Sequence, residues 1–208
     1  MILTGVLINA AAVAAGGVLG TLGGRFMPEK MKQTVLAATG LVSIGIGISG
    51  AIGSSNQLIP ILSLVIGSVI GELLHIEDGV TQGFVTGSLV FAVGAMAVMG
   101  SLESGLKNDH TILMTKSVID MAGSVAFAGS LGIGVAFSAL SILVLEGTVT
   151  LLASLLTGVL TDAVITEISV TGSLIIIGVG LNVLGLTKLR IMNMTPALLL
   201  PILLCRFM

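Results

Sequence analysis

Long apolar segments follow one another along almost the whole chain, and this pattern leaves few folds open to it. A helix that crosses a lipid bilayer needs about 20 consecutive, mostly apolar residues. The fifth and sixth candidate segments are separated only by the region of Gly132, so they could form one broken element or a re-entrant hairpin. We therefore predict an all-α, polytopic membrane helix bundle with about eight spans, within a range of six to eight. The eight candidates are residues 3–24, 34–53, 57–74, 83–102, 112–131, 133–157, 165–186 and 194–206.

The charge content excludes a soluble protein. Charged residues make up 9% of the 208 residues, whereas a soluble domain carries roughly 25%. All connecting loops are short, so we expect one membrane domain over residues 1–208, with the lipid bilayer as its main partner. A net charge of -2 predicts no nucleic-acid partner. The single cysteine, Cys205, excludes an intrachain disulfide and a cysteine-based metal site.

The first segment lacks a basic start and a clear cleavage site, so we expect a retained helix and not a signal peptide. The chain holds 29 glycines, and small residues four apart allow helix backbones to approach closely. Spans this short and glycine-rich also favour a homodimer. The glycine pairs at this spacing include Gly16/Gly20, Gly20/Gly24, Gly67/Gly71 and Gly83/Gly87.

The basic residues indicate an orientation in the membrane. With eight spans, the loop after span one and the loop after span seven lie on the same side. These two loops carry five basic residues, whereas the opposite side keeps two, and positive charge marks the cytoplasmic face. We therefore predict a protein of the inner (plasma) membrane with both termini outside. The five are Arg25, Lys30, Lys32, Lys188 and Arg190, and the two are Lys107 and Arg206.

Two internal similarities predict a repeat. Residues 39–49 (TGLVSIGIGIS) in span two resemble residues 171–182 (TGSLIIIGVGLN) in span seven, and Pro60 and Pro196 occupy comparable places in spans three and eight. In the centre of the chain, two tandem segments share Thr, Ser, Gly, Ala, Gly, Ser and Leu when aligned without a gap. Spans one to three (1–74) thus resemble spans six to eight (133–206), and span four resembles span five. The tandem segments are residues 86–102 and 115–131.

Each matched pair of spans is separated by an odd number of crossings, so its members run in opposite directions. The loop charges agree, because the basic loop at residues 25–32 matches an acidic loop at 162–167. This pattern predicts an inverted repeat. Inverted repeats commonly hold a substrate or ion site near the bilayer midplane, between the halves.

The order of four sequence pieces resembles a known family. The pieces are residues 67–73 (GSVIGEL), 83–86 (GFVT), 94–106 (GAMAVMGSLESGL) and 180–188 (GLNVLGLTK). They resemble the bacterial inner-membrane proteins known as domain of unknown function 554, or YqgA-like. The resemblance implies an integral protein of the plasma membrane and suggests a sodium channel or pump. The connection from Leu74 to Gly83 is shorter than we expect in relatives, which leaves a role for that loop open.

Asp120 lies near the middle of span five, where a charged residue costs about 2.5–3.5 kcal/mol on insertion scales. Lys116 precedes it by four residues, so both side chains share one helix face. Ser117 and Ser124 flank that face. One reading is a cation or proton site, whereas the alternative is a structural Lys116–Asp120 pair, or a helix that starts later and leaves both residues near the interface.

Glu146 lies in span six with apolar residues on both sides. A glutamate there is either protonated or balanced by a cation, because an isolated charge is costly in the membrane. Thr150, four residues on, is placed to hydrogen-bond to it. We predict a coupling-ion or proton-relay carboxylate, and the alternative is a neutral glutamic acid that joins two helices.

Uncharged oxygens of polar residues in the spans suit hard cations such as Na⁺. We predict Asn182 and its repeat partner Ser49 as such ligands, with smaller weight on Asn9, Thr39 and Thr171. These residues otherwise serve to hold helices together. No resident cofactor is expected beyond Na⁺ or H⁺ as a coupling ion.

Other motifs are rejected because their surroundings do not fit the site that each would form. The glycines at residues 45–50 fit a dinucleotide pattern, but that motif needs a strand, a turn and a helix at an aqueous edge. Glu72 and His75, with Glu77 and Asp78, could bind a metal, but a solvated polar loop is the better interpretation. The two histidines lie in different loops, and no nucleophile–base pair is evident, so we expect no enzyme.

Three hypotheses remain open at this level. The first is a small secondary transporter or channel for a cation (Na⁺ or H⁺) or a cation-coupled small solute, with Asp120 and Glu146 at its site. The second is a membrane scaffold or regulatory protein without transport. The third, a lipid-handling enzyme or flippase, has no motif of its own.

Overall fold

The computed structural model describes residues 1–76 and 81–207, and these residues are helical through most of their length. The all-α prediction is confirmed. The helices are α1 (Thr4–Arg25), α2 (Glu29–Ala51), α3 (Leu58–Leu74), α4 (Gln82–Ala92), α5 (Ala95–Lys107), α6 (Thr111–Leu131), α7 (Gly134–Phe137), α8 (Ala139–Leu151), α9 (Ala153–Leu156), α10 (Asp162–Val183), a 3-10 helix (Met192–Leu198) and α11 (Leu200–Leu204).

Five helical stretches in the described residues are long and apolar enough to cross a membrane. They are α1, α2, α6, the stretch Gly134–Leu151 and α10, and the bent pair α4–α5 adds a sixth if it counts as one span. If the bent pair counts as one span, the total of six equals the lower end of the predicted range of six to eight spans. The two other predicted spans correspond to shorter apolar helices, Leu58–Leu74 and Met192–Leu204.

The last predicted span, residues 194–206, is not one α-helix. Its first part is the 3-10 helix, with Pro196 inside it, and α11 follows with Pro201 in its first turn. Proline lacks the N–H that an α-helix requires from interior residues. The two prolines therefore divide this segment into two short helical pieces.

The predicted fourth span, residues 83–102, is broken near its middle. Helices α4 and α5 meet at a bend of 59°. Val93 there is extended, with φ -112 and ψ 127, and Gly94 has φ 147 and ψ 163. The conformation of Gly94 is essentially restricted to glycine. The break therefore depends on the residue type at position 94.

The helices form two compact units, each built from two separate parts of the chain. Unit 1 comprises Met1–Thr39 and Thr81–Thr157, and unit 2 comprises the described residues of Gly40–Val80 and Gly158–Met208. Each unit therefore draws on both halves of the predicted repeat. The prediction of a single membrane domain over residues 1–208 stays a prediction.

Within unit 1, α1 and α6 run parallel and lie in close contact. A Cβ atom at Gly20 would lie 2.3 Å from the Val125 carbonyl oxygen, and one at Gly24 would lie 2.4 Å from that of Gly129. Both distances are far below a normal contact, so only glycine allows this approach. The close packing predicted from the glycine spacing of α1 is confirmed.

In both units, each predicted repeat partner packs antiparallel to its match. This arrangement fits the predicted inverted repeat, which stays a prediction because antiparallel neighbours also occur without internal symmetry. The contacts that establish the directions are Asn9 with Glu146 and Gly17 with Ala136 (α1 against α7–α8), Phe91 with Gly123 and Gly100 with Leu113 (α4–α5 against α6), Gly40 with Leu184 and Gly50 with Ser173 (α2 against α10), and Gly67 with Ala197 and Gly71 with Asn193 (α3 against the 3-10 helix).

Unit 2 has polar contacts at its helix ends. Glu167 of α10 is 1% exposed, and it accepts hydrogen bonds from the hydroxyls of Ser54 and Ser55 and from the amide of Ser55. Glu72 of α3 accepts one bond from Arg190 and one from Asn193, each at 2.7 Å. These carboxylates hold the connections between helices of this unit.

Candidate functional site

Lys116 is the centre of a buried ionic cluster in unit 1. Its side chain extends from α6, is 8% exposed, and its Nζ donates hydrogen bonds to the Asp120 carboxylate and to the carbonyl oxygen of Phe91. Glu146 Oε1 of α8 lies 3.4 Å from the same nitrogen. One ammonium group therefore serves three acceptors from three helices, namely α4, α6 and α8.

Asn9 of α1 completes the cluster from the other side of Glu146. Its Nδ2 lies 3.1 Å from Glu146 Oε1 and 3.2 Å from Oε2, so the amide donates to the carboxylate. Asn9 is 0% and Glu146 is 1% exposed. Asn9 Oδ1 is buried and has no hydrogen-bond donor among the described residues. The Asn9 Nδ2 group therefore already donates to Glu146, whereas its Oδ1 atom is an acceptor without a donor among the described residues.

The break in α4–α5 explains why a main-chain carbonyl is available to Lys116. The last four carbonyl groups of a helix have no intrahelical partner. Phe91 lies in the last turn of α4, and the extended residue Val93 ends the hydrogen-bond ladder there. The bend at Gly94 therefore leaves the Phe91 carbonyl free to accept from a side chain.

Apolar side chains surround this part of unit 1. Phe91 and Phe127 pack edge to face, with ring centroids 6.0 Å apart. They belong to a buried apolar cluster that draws on α1, α4, α6, α7 and α8. Phe91 belongs to this cluster and also supplies a carbonyl to Lys116, so the ionic groups adjoin apolar surroundings that strengthen charge interactions. The members of the apolar cluster are Ala10, Val13, Phe91, Ala92, Phe127, Ala128, Val135, Ala139 and Ile142.

The formal charges of the cluster do not cancel. Lys116 contributes +1, whereas Asp120 and Glu146 contribute -1 each, which sums to -1 when all three are ionised. Asp120 takes the close contact with Lys116, and Glu146 keeps the longer contact and a neutral amide donor. The uncompensated charge therefore belongs to Glu146.

The structure brings together three of the five predicted site residues, Lys116, Asp120 and Glu146. Lys116 and Asp120 are each 6% exposed. The alternative of a helix that starts later than predicted is wrong, since α6 starts at Thr111. The structural ion pair is present as the other alternative requires, so geometry alone leaves both the ion-site and the structural interpretation standing.

The other two predicted residues, Asn182 and Ser49, belong to unit 2. Asn182 is near the end of α10, where its Nδ2 donates to Leu189 O at 2.7 Å and its Oδ1 accepts from Thr187 and from the Leu189 amide. This amide holds the connection that follows α10. Ser49 is exposed on α2. A role for these two as ion ligands stays a prediction.

The expected hydrogen bond between Thr150 and Glu146 is wrong. The Thr150 hydroxyl is buried and has no hydrogen-bond partner among the described residues. Glu146 points toward α1 instead, where the Asn9 amide donates to it. Residue spacing identified Thr150 as a neighbour but did not show the direction of the Glu146 side chain.

The serines predicted on the Asp120 face have structural partners. Ser117 donates to Leu113 O at 2.6 Å within α6, and Ser124 donates to Val13 O at 2.7 Å across to α1. Both hydroxyls are thus used by the backbone. The Ser124 bond joins α6 to α1, the Ser117 bond stays within α6, and the ionic cluster consists of Lys116, Asp120, Glu146 and Asn9.

Sequence reasoning assigned Asn9 a small weight and missed the Phe91 carbonyl entirely. The signal for Asn9 was present, since it is the single strongly polar residue within a long apolar run, and its partner Glu146 lies in the span predicted to match span one. A free main-chain carbonyl has no sequence signal of its own. The glycine at position 94 was the closest indication of it.

Two residues of the predicted metal alternative, Glu77 and Asp78, lie outside the described residues. In the ranges 1–76 and 81–207, no group of three or more His, Cys, Asp or Glu side chains is placed to hold a metal ion. Glu72 is held by Arg190 and Asn193. The described part of this region therefore serves the packing of unit 2.

The model of the family described as "Protein of unknown function (DUF554)" matches residues 4–206 of the chain. The chain belongs to this family. The resemblance predicted from its four sequence pieces is confirmed. Membership of the DUF554 family does not identify an activity, so the function is inferred from the chemistry of the site.

Two relatives illustrate the DUF554 match. The chain is 30% identical to "Uncharacterized protein YqgA" of Escherichia coli (strain K12), over 94% of this chain and 93% of that protein. It is 26% identical to "Uncharacterized membrane protein YdfK" of Bacillus subtilis (strain 168), over 95% and 93%. No solved structure matches the chain. With its apolar helices, the likeness to YdfK identifies this DUF554 chain as a membrane protein.

Proposed function

We propose that this protein is a small secondary transporter or channel of the bacterial inner membrane that moves a cation (H⁺ or Na⁺) or a cation-coupled small solute. One observation carries the proposal. The buried cluster around Lys116 has two carboxylates for one ammonium group, and it lies at the end of a broken helix. Broken helices with free carbonyls form the ion sites of many transporters built as inverted repeats.

The excess of one negative charge in the cluster requires an additional proton or cation. An unpaired carboxylate inside a membrane protein is costly, so it binds a proton or a cation or pairs with a fixed charge. The fixed charge, Lys116, is already engaged with Asp120 and Phe91. Glu146 is therefore the group that takes up the additional proton or cation.

The geometry favours a proton over Na⁺. Lys116 occupies the position where a metal cation would meet both carboxylates and the Phe91 carbonyl, so Na⁺ would have to displace the ammonium group. A proton needs only one Glu146 oxygen. We therefore place H⁺ first and Na⁺ second as the transported or coupling ion.

Asn9 suits a carboxylate that changes its protonation state. Its Nδ2 donates to an ionised Glu146, as the structure has it. Its Oδ1, which has no donor among the described residues, can accept the O–H of a protonated Glu146 after the amide turns over. One side chain thereby satisfies both states of the glutamate.

We further propose that both termini lie outside, that the protein works as a homodimer, and that it has no enzymatic activity. The charge distribution supports the orientation, with five basic residues in the loops on one side and two on the other. The apolar outer faces of α2 and α3 support contact with lipid or with a second copy.

The deciding experiment is H⁺ and Na⁺ flux in proteoliposomes, comparing the wild type with Glu146→Gln and Asp120→Asn. Folding is checked by thermal melting, and Glu103→Gln serves as the control because its side chain is in an exposed ion pair with Lys107. We expect the flux to vanish in Glu146→Gln, which cannot bind a proton, and to persist in Glu103→Gln. Full flux in a folded Glu146→Gln variant would overturn the proposal.

A second candidate is a membrane scaffold without transport, and the cluster itself favours it. Lys116, Asp120, Glu146 and Asn9 tie α1, α4, α6 and α8 together through hydrogen bonds. In that case Glu146→Gln and Asp120→Asn would lower the melting temperature, and wild-type liposomes would show no flux for either ion, with or without added solutes.

A further inference from the structure

Three buried hydroxyl groups of unit 1 have no hydrogen-bond partner among the described residues, those of Thr86, Ser101 and Thr150, and the last two lie on α5 and α8. Ser101 of α5 is 0% exposed and Thr150 of α8 is 1% exposed. Neither hydroxyl oxygen has a donor or acceptor within reach among the described residues. A buried hydroxyl without a partner costs free energy. The protein keeps two of them close to its ionic cluster.

Most serine and threonine side chains in apolar helices satisfy themselves on the carbonyl one turn back. Several buried hydroxyls of this chain follow the rule: Thr171, with 0% exposure, donates to Glu167 O at 2.8 Å, and Ser138, also with 0% exposure, donates to Val135 O at 2.6 Å. Ser101 and Thr150 do not follow it. Their hydroxyls make no hydrogen bond to their own helix backbones.

The Thr150 hydroxyl lies one helical turn from the Glu146–Asn9 level. Thr150 follows Glu146 by four residues on α8, which places its side chain about 5–6 Å along the same face. The backbones of α5 and α8 touch at this point, because a Cβ at Gly105 would lie 2.2 Å from Thr150 O. Ser101 precedes Gly105 by four residues and shares its face of α5.

A polar pair at the end of unit 1 lies one turn further along α5. Ser104 is fully buried, and its hydroxyl lies 2.7 Å from His110 Nδ1 and 2.7 Å from Ile2 O. His110 is half-buried at the start of α6. Because Gly105 touches Thr150 and α5 runs parallel to α8, Ser104 lies near the level of Thr150 and Ser101 lies one turn further in. The order from inside to outside is therefore Glu146 with Asn9 and Ser101, then Thr150 with Ser104, and then His110.

The outer end of this series is surrounded by charged groups. Glu103 and Lys107 form an exposed ion pair on α5, with 3.3 Å between Nζ and Oε1. Asp109 follows on the loop, and its pKa is held below its usual range, chiefly by the hydrogen bond from the Thr111 hydroxyl. The amino terminus of Met1 precedes α1 at the same end. His110 is thus in contact with a polar, solvent-exposed loop.

We propose that Ser104, Ser101 and Thr150 form the route by which protons pass between His110 at the surface and Glu146. The inference rests on the proposed function and names the access path of that same site. A proton enters at the His110 imidazole, each hydroxyl or intervening water accepts one proton and passes on another, and the proton ends on a Glu146 oxygen. One H⁺ enters for each carboxylate neutralised, and no other reactant is consumed.

The test measures proton uptake by Glu146 directly, so it does not depend on transport. The detergent-solubilised protein is subjected to a rapid drop in pH, and time-resolved infrared spectroscopy follows the carboxylic acid band that is absent from Glu146→Gln. The variants are Thr150→Val and Ser101→Ala, which remove the free hydroxyls. Their matched controls are Thr171→Val and Ser138→Ala, which remove equally buried hydroxyls that bond to their own helices.

We expect uptake to slow by roughly tenfold or more in Thr150→Val and Ser101→Ala, which corresponds to at least about 1.4 kcal/mol in the barrier. The two controls should match the wild type, and Thr150→Ser should restore the rate because it restores the hydroxyl. Melting curves identify variants that fail to fold, and the rescue by Thr150→Ser separates a hydroxyl effect from a packing effect.

Two outcomes would overturn the proposal in different ways. Wild-type rates in folded Thr150→Val and Ser101→Ala would exclude this route while leaving Glu146 as the proton site. The absence of any band that depends on Glu146 would remove the route together with the proton-binding part of the proposed function.

Discussion

Lys116 is surrounded by more negative charge than one ammonium group neutralises. Removing a partner from a buried ion pair costs far more than removing an exposed one, because the remaining charge is left without compensation. Lys116 contacts two carboxylates and a carbonyl, and all of these groups are buried. At the level of single residues, the cluster is therefore where a substitution has the largest effect.

Lys116→Met is expected to lower the free energy of unfolding by about 3–5 kcal/mol, because Asp120 and Glu146 lose their cation. The matched control is Lys107→Met, whose ion pair with Glu103 is exposed and should cost less than about 1 kcal/mol. The triple change Lys116→Met, Asp120→Asn, Glu146→Gln should recover most of the loss. Denaturant unfolding in detergent measures all three, and equal losses for the two single lysine variants would contradict a charged cluster.

Asn9 is expected to be energetically coupled to Glu146. In a double-mutant cycle of Asn9→Leu with Glu146→Gln, the effects on unfolding should deviate from additivity by about 0.5–3 kcal/mol, the range found for residues in contact. The reference cycle pairs Asn9→Leu with Glu103→Gln, whose carboxylate contacts Lys107 instead. Coupling as large in the reference cycle as in the test cycle would show that the hydrogen bonds between Asn9 and Glu146 are not what the experiment detects.

At the level of helices, the ionic cluster depends on the close packing of α1 against α6 and on the break between α4 and α5. The contact between α1 and α6 places Asn9 and Lys116 on neighbouring helices, and it depends on glycines that carry no side chain. The bend between α4 and α5 gives Lys116 a main-chain acceptor. Tight packing therefore positions the cluster, and the break supplies one of its ligands.

Gly20→Ala and Gly23→Ala should have opposite effects on stability. A Cβ at Gly20 meets the Val125 backbone at 2.3 Å, whereas nothing lies within 4 Å of a Cβ at Gly23. Gly20→Ala should cost about 1–3 kcal/mol through overpacking, and Gly23→Ala should be neutral or stabilising by up to about 1 kcal/mol. Thermal melting of the two variants side by side checks this. A harmless Gly20→Ala would mean that α1 and α6 do not touch as described.

Gly94→Ala is expected to disturb the break. The backbone at φ 147 costs a residue with a side chain about 1–3 kcal/mol, so the chain should lose that stability or change the path of α4–α5. Gly45→Ala is the control, since Gly45 is helical and nothing lies within 4 Å of its added Cβ. Stability and proton flux are measured for both. A Gly94→Ala variant indistinguishable from the wild type in both measurements would show that the break has no structural or functional role.

At the level of the whole molecule, the directions of α1 and α6 constrain the topology. Because these helices are parallel, the chain between α2 and α6 must cross the membrane an even number of times. If α1, α2 and α6 each cross once and the bent pair α4–α5, which is apolar enough, counts as one crossing, we predict α3 as the second crossing between α2 and α6. A helix of 17 residues is about 25 Å long, which is somewhat short for a span and would require local thinning of the bilayer or a similar adjustment.

Cysteine labelling tests this topology. The single native cysteine is replaced in a Cys205→Ser background, and single cysteines are introduced as Lys30→Cys after α1 and Asp109→Cys before α6, both at exposed positions. An impermeant maleimide should label Asp109→Cys in intact cells and Lys30→Cys only after permeabilisation. Reversed labelling would invert the predicted orientation, and labelling of both in intact cells would contradict α1 as a spanning helix.

The amino-acid sequence by itself determined the class of the protein and much of its local structure. The apolar segments, the close glycine contacts of α1 and the pairing of Lys116 with Asp120 all follow from composition and from residues three or four positions apart. The helix period governs such short-range relations, so they can be read along the chain. The four sequence pieces that resemble the DUF554 family indicate the same class, an integral membrane protein.

Only the tertiary structure decided which polar groups meet. Asn9 and Glu146 are 137 positions apart, and no local pattern indicates that one would bind the other in place of Thr150. The bend at Gly94 and the free carbonyl of Phe91 depend on how α4 and α5 pack against α6 and α8, as does the isolation of the Ser101 and Thr150 hydroxyls. These features depend on through-space contacts and on the direction of each side chain, which the helix period leaves open.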